Sequence, residues 1–247
     1  MTASFDVSLD GLATRYGLSN VAVDRLRMFG EMLAGDPLAP TTVREPALIR
    51  DDHLADALVA VELARVRTAA TIADLGSGAG IPGLPLAIAL PDAEVWLVEA
   101  NGRKCRFIER AIALLRLENA RAVNARAEGW PEGRASLQLV TARALAPLDV
   151  VAEYAAPLLT VGGALVAWRG KREPEVEAGG AAAASILGLS VDEPVRVWPY
   201  AGAEHRYLHV MPKVMETPTR FPRREGMARK RPLGAARTHL TESTDSF

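Results

Sequence analysis

The stretch DLGSGAGIPG, residues 74 to 83, constrains the architecture of this 247-residue chain more than any other. It closes a short apolar run, Thr71 to Leu75, and opens into Gly-Leu-Pro-Leu-Ala-Ile-Ala-Leu at 83–90. A five-residue apolar run that stops at glycines reads as a buried parallel strand, and the segment after it as a short helix. Glycines between them let a ligand lie against bare main chain. Strand, glycine turn and helix form the first unit of an α/β fold, in which ligands bind beyond the carboxyl ends of the strands.

The rest of the chain repeats that alternation. Strands are predicted at 94–99, 121–125, 137–143 and 163–170, and an Ala/Leu-rich helix separates the last two. The clearest helix spans 102–118, with Phe107, Ile108, Ala111, Ile112 and Leu115 on one face. A polar, alanine-rich helix at 173–188 leads to two strands, 195–200 and 206–213, close enough to form a hairpin. Five β-α units closed by an antiparallel pair predict a mostly parallel sheet with helices on both faces. Ahead of it lie an amphipathic helix at 19–34, capped near Ser19 or Asn20, and a second helix from about Glu45 to Arg67 with Pro46 in its first turn. The chain accordingly divides into a helical extension (1–67), an α/β core (68–213) and a basic tail (214–247).

Hydrophobic residues make up 49% of the chain, enough for a substantial core. The single cysteine, Cys105, excludes an intramolecular disulfide and a multi-cysteine zinc site, and as part of an apolar helix face it reads as a small buried residue. His205 and His209 flank an apolar strand, so no metal is expected. The first residues lack a basic start followed by an apolar run, and no stretch has the length of a membrane helix. A cytoplasmic protein without membrane association is expected. A net charge of −1 conceals a basic segment: between 220 and 237 stand Arg220, Arg223, Arg224, Arg229, Lys230, Arg231 and Arg237 against Glu225 alone. Such a segment suits a polyanion, and equally a solvated terminus.

The glycine turn admits two cofactors. Gly78-x-Gly80-x-x-Gly83 satisfies the dinucleotide fingerprint, and Glu99 follows Gly78 by 21 residues, where a ribose-binding acid is expected. Read from Asp74, the same residues form the acid-x-Gly-x-Gly-x-Gly loop that wraps S-adenosylmethionine. A pyrophosphate wants free amides at a helix N-terminus. S-adenosylmethionine carries an ammonium and a sulfonium, which the carboxylate of Asp74 would favour. The closing hairpin points to the class I methyltransferase arrangement. At successive strand ends, Glu99 would accept ribose hydroxyls, Ala127 and Glu128 would read an adenine, and Arg143 would hold a cofactor carboxylate or a substrate phosphate. The fourth strand ends in TARALAPL, without the Asn/Asp-Pro-Pro-aromatic motif of enzymes that methylate exocyclic amines. A ring nitrogen with its own lone pair needs neither that motif nor a cysteine nucleophile.

The run DLGSGAGIPGLPLAIALPDAEVWLVEANGRKCRFIERAI, with ARAE and TARALAPL after it, resembles the bacterial ribosomal RNA small subunit methyltransferase G family, also called glucose-inhibited division protein B. The resemblance covers about residues 45 to 210, and the extension of the glycine turn into Ile-Pro-Gly-Leu-Pro-Leu is its most telling part. HLADAL at 53–58 and RFPRREGMARKRPL at 220–233 are similar to further segments of the family. The resemblance implies a class I, Rossmann-like α/β fold and methyl transfer from S-adenosylmethionine to guanine N7 in the 530 loop of 16S rRNA, with the small ribosomal subunit as partner. By the family's pattern Gly76 and Ile81 line the cofactor site, Ala127 and Glu128 contact its adenine side, and Arg143 completes it; Asp74, Gly78, Gly80 and Glu99 join them from the strand-end and glycine-turn pattern. No catalytic acid or base is assigned, because N7 has no proton to lose. His53, Arg103, Lys104, Arg169, Arg220, Arg223, Arg224, Lys230 and Arg231, with Arg44 beside them, are candidates for contact with RNA. A monomer is expected, and loss of residues 217–247 is expected to weaken RNA binding while sparing the cofactor. An NAD-dependent oxidoreductase, a non-catalytic RNA-binding protein and a methyltransferase for another substrate are the alternatives.

Overall fold

The computed structural model describes Phe5 and residues 7–234. Seven strands form one sheet: β1 Thr71–Leu75, β2 Glu94–Val98, β3 Ala120–Val123, β4 Leu137–Arg143, β5 Leu159–Arg169, β6 Val195–Arg196 and β7 Tyr207–Pro212. Their order is β3-β2-β1-β4-β5-β7-β6, with β1 to β5 parallel and β7 antiparallel between β5 and β6. A dinucleotide fold would set a sixth parallel strand beside β5. Here β7 stands there reversed, and the sheet is that of the Rossmann-like class I S-adenosylmethionine-dependent methyltransferases.

Among the described residues, ten α-helical segments surround the sheet: α1 Asp10–Tyr16, α2 Asn20–Gly35, α3 Pro46–Leu48, α4 Asp56–Leu58, α5 Ala64–Arg67, α6 Gly83–Ala89, α7 Gly102–Leu115, α8 Leu148–Ala155, α9 Pro174–Leu187 and α10 Met227–Lys230. Alternate residues of each central strand face opposite cores. Ile72, Val95 and Leu139 pack under α2, α6 and α7, whereas Ala73, Leu75 and Val140 pack under α8 and α9. Local chemistry sets the helix starts. Ser19 Oγ accepts from Ala22 N at 3.2 Å ahead of α2, and Asn101 Oδ1 accepts from Arg103 N and Lys104 N at 3.0 and 3.3 Å ahead of α7.

Four details depart from the sequence reading. The predicted helix at 45–67 changes pitch: α3 passes into a π-helical turn at Ile49–Ala55, then α4, then a 3₁₀ turn at Val59–Glu62, and Leu63 is extended before α5. The Asp52 carbonyl in that π turn accepts from Arg143 Nη1 at 2.7 Å, a side-chain intrusion that competes with the helical ladder. The connection from β3 to β4 carries 3₁₀ turns at Ala127–Gly129 and Pro131–Gly133 in place of a helix. β5 begins at Leu159, earlier than expected, and β6 is confined to Val195–Arg196. Finally, α1 and α10 form where the sequence predicts no helix. α10 belongs to a tail that packs against α8, with Phe221 and Ala228 buried. Residues 235–247 of that predicted tail, Arg237 among them, lie outside the described residues.

Candidate active site

Two cavities open beyond the carboxyl ends of the strands, and Ala144 borders both. The first, about 490 Å³, is lined by Gly76, Glu99, Lys104, Ala127, Glu128 and Tyr154 among others. The second, about 410 Å³, is lined by Asp52, His53, Asp56, Arg143, Trp168 and Arg206 among others. Ala144 has φ +53, a left-handed conformation that favours glycine, at the point where the chain leaves β4 between them.

The glycine turn shapes the first cavity. Gly76 has φ +66, and a β-carbon there would stand 2.5 Å from Leu145 Cδ1, on the facing wall. Glu99 pins the turn, accepting from Gly78 N through Oε2 at 2.9 Å and from Asn101 N through Oε1 at 2.8 Å. A carboxylate has about four lone-pair sites, so capacity remains for a ligand's hydroxyls. Most main-chain amides of the turn are already engaged. Gly76 N donates to Val98 O, Gly80 N and Ile81 N to Ser77 O, Leu84 N to Gly80 O and Gly83 N to Asp74. The helix start thus lacks the free donors a pyrophosphate requires. Carboxylate acceptors and the apolar wall of Leu75, Val98 and Leu145 fit an adenosyl cofactor.

Asp74 does not face this cavity. Its side chain is fully buried, accepting from Gly83 N through Oδ2 at 3.1 Å and from Thr141 Oγ1 through Oδ1 at 3.0 Å. The acid expected to meet the cofactor's positive charge instead ties β1 to β4 and to the start of α6, and burial pushes its pKa up to about 6. Gly83 is needed for this contact, since a β-carbon there would lie 2.9 Å from Asp74 Oδ2. Gly78 and Gly80 shape the turn at φ +59 and +85, and Ile81 is buried in the core under α2, outside the cavity wall. Glu128 does line the cavity, but its Oε1 also accepts from Gly226 N at 3.1 Å.

Arg143 belongs to the second cavity. Its Nη1 donates to Asp56 Oδ2 at 2.6 Å and to the Asp52 carbonyl, and its Nη2 lies 3.2 Å from His53 Nδ1. Arginine only donates, so Nδ1 accepts and the imidazole proton sits on Nε2, directed at Thr41 Oγ1 2.9 Å away. Burial and the Arg143 charge hold His53 below the ordinary histidine pKa. Trp168 Nε1 donates to the Asp56 carbonyl at 2.7 Å. Arg206 approaches Asp52 Oδ1 and Asp56 Oδ1, each at 3.2 Å, and the Tyr200 hydroxyl donates to Asp52. Burial, then the Asp52 contact, pushes the Tyr200 hydroxyl up to about 12.

Asp52, Asp56, Trp168, Tyr200 and Arg206 were not singled out in the sequence. Asp52 and Asp56 stand one helical turn apart in DDHLAD and carried a usable signal, whereas Tyr200 and Arg206 join them only through the β6–β7 connection.

The RNA candidates separate into distinct surroundings. His53 and Arg169 line the second cavity and Lys104 the first, while Arg103, Arg224, Lys230 and Arg231 are exposed. Arg220 lies over the Phe221 ring at 5.0 Å. Arg223 pairs with buried Glu153, and Arg44 donates to the Leu33, Asp36 and Ala39 carbonyls, closing the end of α2. Cys105 is buried in α7, and burial raises its thiol pKa. Among the described residues, no group of three or more His, Cys, Asp or Glu side chains is placed to hold a metal ion, and no helix is long and apolar enough to cross a membrane.

The family model for rRNA small subunit methyltransferase G matches residues 34–193. The chain belongs to this family. Among methyltransferase G relatives, it is 40% identical over 196 residues to the protein of Rubrobacter xylanophilus, covering 77% of this chain and 75% of that one. It is 34% identical over 221 residues to the Desulfitobacterium hafniense protein, covering 87% and 91%. In fold it is similar to the YcgJ protein of Bacillus subtilis, with a TM-score of 0.53 at 14% identity over 66% of this chain and all of that one.

Proposed function

We propose that this methyltransferase G family member transfers a methyl group from S-adenosylmethionine to N7 of one guanine in the 530 loop of 16S rRNA. The observation that carries the reading is the pair of cavities meeting at Ala144, one walled by carboxylate acceptors and apolar side chains, the other by arginines, aspartates and an indole. The first would hold the cofactor through Gly76, Glu99, Ala127 and Glu128; the second would receive the base. When bound, the cofactor supplies an electrophilic methyl group on its sulfonium.

Guanine N7 carries a lone pair and no proton, so the chain needs no general base. Its residues have to place the ring and keep water away from it. Alignment of this kind contributes roughly 7–11 kcal/mol. Arg143, Arg169 and Arg206 outnumber Asp52 and Asp56 around the second cavity, a charge balance that suits a nucleotide phosphate, while the two aspartates favour the cationic ring of the product. The exposed cations Arg103, Arg224, Lys230 and Arg231, with Lys104 at the first cavity, would grip the surrounding RNA.

The test uses labelled S-adenosylmethionine and small-subunit particles from cells lacking the family enzyme, followed by mapping of the label. Label at a single N7-methylguanine in the 530 loop is the expected result. Label at another atom, or none despite cofactor binding, would overturn the substrate assignment.

A further inference from the structure

The basic C-terminal segment is built into the cofactor cavity. Core acids clasp it in three places. Glu153, 1% exposed on α8, takes Arg223, with Nε 2.6 Å from Oε1. Glu128, on the cavity wall, accepts from Gly226 N at 3.1 Å, and Asp149 Oδ2 accepts from Gly234 N at 3.3 Å. Phe221 and Ala228 complete the clasp from the apolar side, buried in the cluster that includes Leu148 and Tyr154. The result is that Arg229, in α10, stands at the cavity mouth and donates through Nη2 to the Leu145 carbonyl at 2.7 Å. Leu145 is the residue that faces Gly76 across the cavity.

We propose that residues 221–234 form an outer wall of the cofactor cavity, and that Arg229 caps the base end of the bound cofactor. This rests on the S-adenosylmethionine reading above. The segment's link to the end of β3 points to the base end: Gly226 N reaches Glu128, which follows β3, and Arg229 three residues on lines the same cavity as Ala127, Glu128 and Tyr154. A flat guanidinium held at one nitrogen by a carbonyl keeps its face for a planar π-system. The segment assigned to RNA from charge alone would thus also serve cofactor retention. On this proposal, loss of residues 217–247 weakens cofactor binding as well as RNA binding.

Binding of S-adenosylmethionine and S-adenosylhomocysteine to the full-length protein, measured by calorimetry, tests this without reference to turnover. Arg229→Ala and Arg229→Gln should each weaken both ligands roughly five- to thirty-fold, with the ligand-free melting temperature held. Arg224→Ala removes the same charge from the exposed side of the segment and should leave cofactor affinity within about twofold of wild type. In a second measurement on the wild-type protein, S-adenosylhomocysteine should slow tryptic cleavage between Arg223 and Arg231. Arg229 variants that bind both ligands within about twofold of wild type would overturn the proposal. So would unchanged cleavage, which decides the matter even if the variants unfold. A wild-type protein that binds neither ligand would overturn the cofactor reading itself, and this wall with it.

Discussion

Arg143 and Asp56 are 87 positions apart in sequence, yet Nη1 and Oδ2 lie 2.6 Å apart, joining the end of β4 to a helix that precedes the sheet. The Asp56 side chain is 6% exposed and that of Arg143 20%, so water does little for the carboxylate if the guanidinium is lost. Breaking a buried pair from one side costs about 3–5 kcal/mol. Arg206 Nε stays 3.2 Å from the other Asp56 oxygen, so Arg143→Ala should lower unfolding stability by less than that, about 2 kcal/mol, measured in urea. Arg143→Ala combined with Asp56→Asn should recover part of that loss, and a purely additive double mutant would show that the pair is not coupled.

The same arginine fixes the histidine beside it. His53 should be neutral at pH 7 with its proton on Nε2, because Nδ1 accepts from Arg143. Long-range proton–nitrogen NMR correlations report the tautomer directly. Since burial lowers the folded pKa, the unfolded chain takes up the proton first, and this residue's contribution to stability declines as pH falls below about 6.5. Protonation of His53 above that pH would refute the arrangement.

Asp74 works in the opposite sense. Its folded pKa is pushed up from 3.8 to about 6, so the unfolded chain releases its proton first and the native state loses stability as pH rises through that window. Asp74→Asn keeps the shape, with Thr141 free to turn its hydroxyl and accept from the amide. Relative to this variant, the wild type should lose up to about 3 kcal/mol between pH 4 and 6. Taking the difference between the two proteins removes the histidine contribution. Parallel stability curves would show that the Asp74 carboxyl is not perturbed.

Gly76 lines the cavity proposed for the cofactor. Gly76→Ala adds a β-carbon 2.5 Å from Leu145 Cδ1 and requires alanine at φ +66, a backbone cost of about 1–2 kcal/mol. S-adenosylmethionine affinity should fall about tenfold or more, since each 1.4 kcal/mol is tenfold. Leu145→Ala in the same protein should restore part of it by clearing the overlap. Unchanged affinity in Gly76→Ala would place the cofactor elsewhere.

Neighbouring arginines of the C-terminal segment should behave differently. Arg223→Ala strands the buried Glu153 carboxylate and should cost about 3 kcal/mol of stability. Arg224→Ala, on the exposed side, should change stability by less than about 0.5 kcal/mol and reduce the salt dependence of RNA binding by about one charge. Equal effects of the two on RNA affinity, with equal stabilities, would contradict this division.

What could be read in the sequence was local. Apolar runs such as Thr71–Leu75 and Leu137–Arg143, glycines after the first strand, and caps such as Ser19 and Asn101 act on neighbours a few residues away, so the strands and most helices were legible in order. Glu99, Ala127 and Glu128 followed because strand ends in a parallel sheet converge on one crevice. A charged residue's partner is not a local property. An acid one residue before the end of β1 could turn to the cavity or inward, and only Thr141 on β4 and the Gly83 amide, together inside the core, turned Asp74 inward. Arg143 meets Asp52, His53 and Asp56 across the fold where the helix pitch changes at Ile49–Ala55, and no glycine or proline marks the change. The basic tail suited a polyanion or a solvated terminus in the sequence, because Glu153, Asp149 and Glu128, which hold it, lie on elements far away in the chain. Periodicity and turn chemistry determined the elements and where their ends gather; the pairing of buried charges across the fold decided which of those ends became a site.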